Sequence, residues 1–157
     1  LAGALLPRLF VCREEYAVLT AEQRAFANAQ RVGRFATADQ DGQPYVIPVC
    51  YACGPEAFYI PLDAKPKRVE PQRLKRVRNI QANPKVALVI DHYAEDWSEL
   101  AYLLIRGVAG LLPPGAPEHQ HAIALLRERY QQYQTMPIEA QPVIVIRPEA
   151  VVAWGKL

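Results

Sequence analysis

Seven lysines and arginines crowd the stretch LDAKPKRVEPQRLKRVRNIQAN, Leu62 to Asn83: Lys65, Lys67, Arg68, Arg73, Lys75, Arg76 and Arg78. Asp63 and Glu70 are its only acids. The whole chain carries 18 Lys and Arg against 16 Asp and Glu, so the clustering is local. The stretch follows a strand-like run, Ala57 to Leu62, and crosses the start of a helix-like one. A helix N-terminus presents free N–H groups and the positive end of the backbone dipole. With cations added, it suits a phosphate or another polyanion. Three readings fit: a solvated charged face, a nucleic-acid surface, or a clamp for the phosphate tail of a cofactor. Lys75 and Arg78, beyond the first turn, suit the solvated face. Lys65, Lys67 and Arg68 share a short loop, where their repulsion is unfavourable unless an anion neutralises it. A net charge of +2 and the absence of aromatic residues from the stretch disfavour nucleic acid.

Other chemistry-bearing patterns are sparse. Cys50 and Cys53 form a CxxC, the spacing of redox and zinc sites. On a strand, residues three apart point to opposite faces, so both thiols reach one metal only if the strand breaks between them. The structural reading, small buried strand residues, is the simpler one. His119 and His121 stand two apart on a helix-like run and face apart, and His92 is alone, so no metal site is expected. No GxSxG, Walker loop or GxGxxG occurs, which removes support for a hydrolase or a P-loop enzyme. Asp91-His92-Tyr93 at a strand end offers acid–base groups and also reads as a solvated terminus. Trp97, Tyr102 and Trp154 could stack on a planar ligand or serve as core or interface.

These residues must be positioned by a chain of 157 residues, a length that suits one domain with a sizeable core. An apolar fraction of 51% fits a globular protein. Three cysteines, Cys12, Cys50 and Cys53, make no disulfide framework and fit a reducing, cytoplasmic setting. No apolar run approaches the roughly 20 residues of a membrane helix. The opening LAGALLPRLFV lacks a basic n-region and is interrupted by Pro7 and Arg8, so it does not read as a signal peptide.

Thr20-Ala-Glu-Gln23 is a capping-box pattern and opens a helix within 19–31. Strand-like runs follow at Gly33–Gln40 and Gln43–Ala52, with the hairpin signal Asp41-Gly42 between them. Pro48 lies inside the second run and demands an edge, a bulge or a break. Ala57–Leu62 is a third strand. Pro71 suits helix position N1, Leu74, Val77 and Ile80 form an apolar stripe, and Pro84 ends the helix. Lys85–Tyr93 and Leu100–Leu112 are strands, 117–133 an amphipathic helix, and 142–154 a closing strand. Six strands joined mostly by tight turns, with three helices, predict an antiparallel sheet or barrel carrying packed helices. The missing β-α-β alternation argues against a Rossmann sheet.

RFATADQDGQPYVIPVCYA resembles the first hairpin of the pyridoxamine-phosphate-oxidase-like, flavin-binding split barrels. DAKPKR…RLKRVRNIQANPKVALVIDHYAEDWSEL resembles, within that superfamily, a branch of deazaflavin (coenzyme F-420)-dependent enzymes. The match runs from about Gln23 to Leu112 and more loosely along the last strand. It implies a six-stranded antiparallel split β-barrel over 1–157, with 33–112 as barrel core. It also implies a homodimer with the cofactor, F-420 or alternatively FMN, in the cleft between subunits. Carried over by position, Ile47, Pro48 and Val49 line the ring, with Tyr59, Ile60 and Pro61 beside it. Lys65, Lys67 and Arg68 take the phosphate together with Arg73, and Arg34 is a further candidate for the tail. Arg73 and Arg76 suit the longer acidic tail of the deazaflavin. Trp97 and Tyr102 lie near the site as contributions from the partner subunit. VEPQ, between Arg68 and Arg73, departs from the simpler oxidases. The implied activity is hydride transfer between cofactor and a small organic substrate; the alternative is a non-enzymatic flavin or haem carrier or sensor. In such enzymes the cofactor carries the hard chemistry, and no side chain is assigned as an acid or base.

Overall fold

A computed structural model describes residues 17–63 and 70–157. The segment 1–11, Cys12 and the loop cations Lys65, Lys67 and Arg68 lie outside them. Helix α1 (Ala21–Ala29) opens on a complete capping box. Thr20 Oγ1 accepts from the Gln23 N–H at 3.1 Å, and Gln23 Oε1 accepts from the Thr20 N–H at 3.0 Å. Strands β1 (Gly33–Ala38) and β2 (Pro44–Val49) form the expected antiparallel hairpin. In its loop Gly42 takes φ +82°, a left-handed conformation that glycine adopts without steric cost. The Asp39 carboxylate accepts the N–H groups of Asp41 and Gln43, both at 3.0 Å.

The remaining elements are β3 (Ala52–Cys53), β4 (Phe58–Pro61), α2 (Lys75–Ala82), β5 (Lys85–His92), β6 (Ala101–Leu112), α3 (Pro117–Arg129) and β7 (Val143–Gly155). The strands form one sheet in the order β2-β1-β5-β6-β7-β4-β3, antiparallel throughout. Its two edges, β2 and β3, are joined by Cys50 and Tyr51 alone. Because so short a link spans the edges, the sheet curls back on itself into a half-barrel. The β6–β7 register shifts between Arg106 and Gly107. A Cβ on Gly107 would lie 2.0 Å from the Arg147 carbonyl oxygen, so only glycine permits this approach.

Several expectations need correction. Among the described residues there are seven strands rather than six, because the run 43–52 breaks at Cys50–Tyr51 and its end becomes β3. The physical cause is a side chain 79 residues away: Tyr130 Oη accepts the Tyr51 N–H at 3.0 Å and lies 2.9 Å from the Tyr51 carbonyl oxygen. Tyr51 therefore needs no ladder partner at the break. Pro48 sits in an edge strand, as its missing donor requires. Pro71 starts a short 3-10 turn (Pro71–Arg73), not the α-helix, which begins at Lys75 after an extended Leu74. Lys75 and Arg76 are consequently in the first turn, and Lys75 pairs with Asp39 at 3.3 Å. Helix α3 stops at Arg129, and a 3-10 turn (Gln131–Gln134) follows Tyr130.

The core has two compartments. Inside the curl, Phe35, Leu88, Ile105, Phe58, Ile60 and Ile144 pack with Phe26 of α1 and with Val77 and Ile80 of α2. Outside β4 and the start of β7, Tyr59, Val143 and Val145 pack with Ala122, Ile123 and Leu126 of α3. Cover on both faces explains the uninterrupted apolar run Val143–Ile146. A buried hydrogen bond from Asn79 Nδ2 to Thr37 Oγ1, 2.9 Å, ties α2 to β1.

Glu118 clamps α3 to the sheet. It receives two hydrogen bonds from the Arg147 guanidinium, both 2.6 Å, and one from Tyr59 Oη at 2.9 Å. The Arg147 bonds, foremost, hold its carboxyl below the usual 4.5. A lowered folded-state pKa contributes stability that is complete above 4.5 and lost as the pH falls through the folded value. Glu118→Gln is therefore expected to lower the melting temperature near neutral pH and to flatten the acid limb of a melting series between about pH 3 and pH 6. An acid limb as steep as the wild type's would remove Glu118 from that dependence.

A candidate cofactor cavity

The ends of β2 and β4, the first turn of α2 and the turn after α3 surround a cavity of about 430 Å³. Ile47, Pro48 and Val49 form one wall, with Val32 beside them; Ile60 and Pro61 form another. The polar groups come from Tyr45, Cys50, Asp63, Arg76 and Tyr133. Strand β2 is an edge strand, so alternate backbone N–H and C=O groups along it lack ladder partners. Flat apolar walls with an unpaired backbone edge suit a planar ring with polar rims.

Arg76 is the cation that the described residues bring to this cavity. Its Nε is buried and has no hydrogen-bond partner. Burial, above all, pulls its pKa down, while Asp63, Tyr45 and Tyr133 act in the opposite direction. A buried guanidinium donor without an acceptor is costly unless a ligand supplies one. Tyr133, another lining residue, is buried, its pKa pushed up by burial and then by the Cys50 thiol. An anionic, ring-bearing cofactor therefore fits the residues present.

The other sequence candidates lie as follows. Tyr59 faces the second core compartment, where burial pushes its pKa up to about 12. Arg34 is exposed and pairs with Asp91 at 2.7 Å. Arg73 is exposed on its 3-10 turn. Trp97 is 74% exposed in the 3-10 turn Trp97–Glu99 between β5 and β6. Tyr102 stacks on Trp154, centroids 5.7 Å apart. Lys65, Lys67 and Arg68 fall outside the described residues, between Asp63 on the cavity wall and the turn that leads to Arg76. Cys50 and Cys53 are both half-buried and part company: Cys50 lines this cavity, while Cys53 lines two pockets beside α3, with Arg24 Nη1 donating to its Sγ at 3.4 Å. His119 is buried, accepting from the Gly115 N–H at Nδ1 and meeting the Gln141 carbonyl at Nε2, 2.8 Å. Among the described residues no group of three His, Cys, Asp or Glu is placed to hold a metal ion, and no helix is long and apolar enough to cross a membrane.

Sequence reasoning missed Asp63, Cys50 and Tyr133 as cavity residues and weighed Arg76 only for a cofactor tail. Tyr133 carried no usable signal, since its spacing from Tyr130 suits one helix face. Arg76 carried one, its place two residues after Leu74 at the helix start.

A curled antiparallel half-barrel with a cavity between two strand ends is the split-barrel architecture. The sequence matches the pyridoxamine 5'-phosphate oxidase family over residues 19–155, and the chain belongs to that family. Among solved structures, an F420 reductase is 25% identical with a TM-score of 0.63, covering 85% of this chain and 98% of its own. An FAD-binding protein from Mesorhizobium loti is 27% identical with a TM-score of 0.60, covering 87% of this chain and 93% of its own. The haem storage protein HutZ from Vibrio cholerae shares the fold at 17% identity and a TM-score of 0.68, covering 88% and 95%. A search of curated protein sequences returns no match.

Proposed function

We propose that this protein is an oxidoreductase that binds a flavin-type cofactor in the cavity and passes a hydride between it and a small organic substrate. The observation that carries the reading is the buried, unpartnered Arg76 Nε in a cavity of about 430 Å³ walled by Ile47–Val49 and Ile60–Pro61. The F420 reductase and the FAD-binding neighbour support it. Of the candidate cofactors we favour the deazaflavin F-420 over FMN. Its acidic tail would extend beyond Arg76 toward the exposed Arg73 and the loop cations Lys65, Lys67 and Arg68. When bound, the cofactor supplies the hydride-exchanging ring. The protein's part is to hold that ring between Ile47–Val49 and Ile60–Pro61 and to neutralise its anionic end.

The same proposal includes a homodimer. Pro48, Arg34, Val89, Leu104 and Val152 stand in register across five strands. Val46, Val152 and Trp154 are exposed on this half of the sheet. Among the described residues none of the helices contributes cover there, since α1 and α2 join the inner core and α3 the outer one. A second copy would bury this apolar face and bring the Trp97 turn toward the partner's cavity.

The test is a spectrum of the natively purified protein, followed by titration with F-420, FMN and haemin and by light scattering. Binding of F-420 or FMN at micromolar or lower Kd by a dimer is expected. No binding of either would end the oxidoreductase reading. A tight haemin complex without flavin binding would instead establish the carrier alternative, and Cys50 and Tyr133 are the cavity side chains that could hold the iron.

A further inference from the structure

Tyr133 reaches the cavity from a part of the chain remote from both strand walls and from the basic segment. Its ring is buried and packs edge-on against Tyr130, centroids 5.4 Å apart. The turn that carries it is pinned, because Arg127 Nε donates to the Tyr133 carbonyl at 3.0 Å while the same guanidinium pairs with Glu139. The phenol is thus fixed before any ligand arrives, which lowers the ordering cost of a contact made there. The Cys50 thiol and, to a lesser degree, the Asp63 carboxylate act on the hydroxyl, and sulfur is a weak hydrogen-bond partner. Cys50 and Tyr133 line the same cavity as Arg76 and Asp63. An O–H donor held on a cavity wall beside so weak a partner favours any ligand that brings a true acceptor.

Resting on the flavin reading of this cavity, we propose that Tyr133 donates its hydroxyl hydrogen to a carbonyl oxygen of the planar molecule that occupies it. Tyr133 is a positioning residue: it sets which edge of that molecule faces the C-terminal turn, while Arg76 holds the anionic end. A carbonyl oxygen of this kind occurs on a flavin or deazaflavin ring and also on a quinone-like hydride acceptor. The test separates the two.

F-420 and FMN are titrated into the wild type, Tyr133→Phe and Tyr133→His, and turnover of menadione is followed with reduced cofactor. Phenylalanine keeps the ring and its packing. We expect Tyr133→Phe to weaken cofactor binding about 2–12-fold, the value of one neutral hydrogen bond, and to shift the visible band of the bound cofactor. Tyr133→His, which keeps a donor, recovers part of both, which restored packing alone would not do. Should cofactor Kd and band hold while the KM for menadione rises at constant kcat, the carbonyl belongs to the acceptor and the proposal stands in that form. Unchanged Kd, band and KM in a wild type that binds cofactor would overturn this inference and leave the flavin reading intact. A wild type that binds neither cofactor overturns both.

Discussion

Arg76→Gln is expected to weaken flavin or deazaflavin binding by about 10–100-fold while moving the melting temperature of the ligand-free protein very little. The affinity term follows from losing a charge-assisted hydrogen bond, about 1.5–3 kcal/mol, at about 1.4 kcal/mol per factor of ten. The stability term has another origin. In the ligand-free protein the Arg76 Nε is buried without an acceptor, and burial already works against its charge. Removing such a group relieves its desolvation, and the half-exposed Asp63 keeps contact with water, so the attraction given up is modest and the two largely offset. Opposed behaviour of affinity and stability distinguishes a ligand anchor from a structural ion pair. Isothermal titration and thermal melting of one variant measure both. A ligand-free melting temperature that falls in step with affinity would make Arg76 structural, and an unchanged Kd would remove it from the site.

Tyr130→Phe is expected to be among the most damaging single-oxygen deletions in the chain. The Tyr130 hydroxyl serves the Tyr51 N–H at 3.0 Å and lies 2.7 Å from the Arg31 carbonyl and 2.9 Å from the Tyr51 carbonyl. Arg129 Nε also donates to it at 3.2 Å. Without it, the buried Tyr51 backbone at the β2–β3 break is left unsatisfied. Each orphaned buried group costs about 1–3 kcal/mol, so the variant should lose about 2–4 kcal/mol in total. For a chain of this size that is a fall of roughly 5–15 °C in melting temperature. Cofactor affinity should fall as well, because Cys50 and Val49, next to the break, line the cavity. A melting shift under about 2 °C would show that water or a backbone rearrangement replaces the hydroxyl.

Local physics explains what could be read ahead of the structure. The capping box at Thr20 and the Asp41-Gly42 hairpin each depend on neighbours a few residues away, and both form. The expected strands in 33–40, 57–62, 85–93, 100–112 and 142–154 also form, as β1, β4, β5, β6 and β7, because each is long enough or apolar enough to hold its period. Pro48 required an edge, a bulge or a break, and β2 is an edge strand. The basic stretch was legible as a local excess of cations but not in its division of labour. Whether Arg76 or Lys75 faces a cavity depends on where α2 starts, and the short turn Pro71–Arg73 moves that start to Lys75. Lys75 then turns to Asp39 and Arg76 to the cavity.

By itself, then, the sequence determined the elements, the family pattern and a local excess of cations after the third strand-like run. These follow from periodicity, capping and charge density, all of which act over a few residues. The tertiary structure alone decided that the run 43–52 breaks in two, that Tyr133 shares a cavity with Arg76 and Cys50, and that Tyr59 turns away to Glu118. Each of those outcomes depends on a contact between residues far apart in the chain, as in the bond between Tyr130 and Tyr51. A hydrogen bond across 79 residues leaves no mark on local pattern, because its energy is realised only once the sheet has curled and brought both partners out of water.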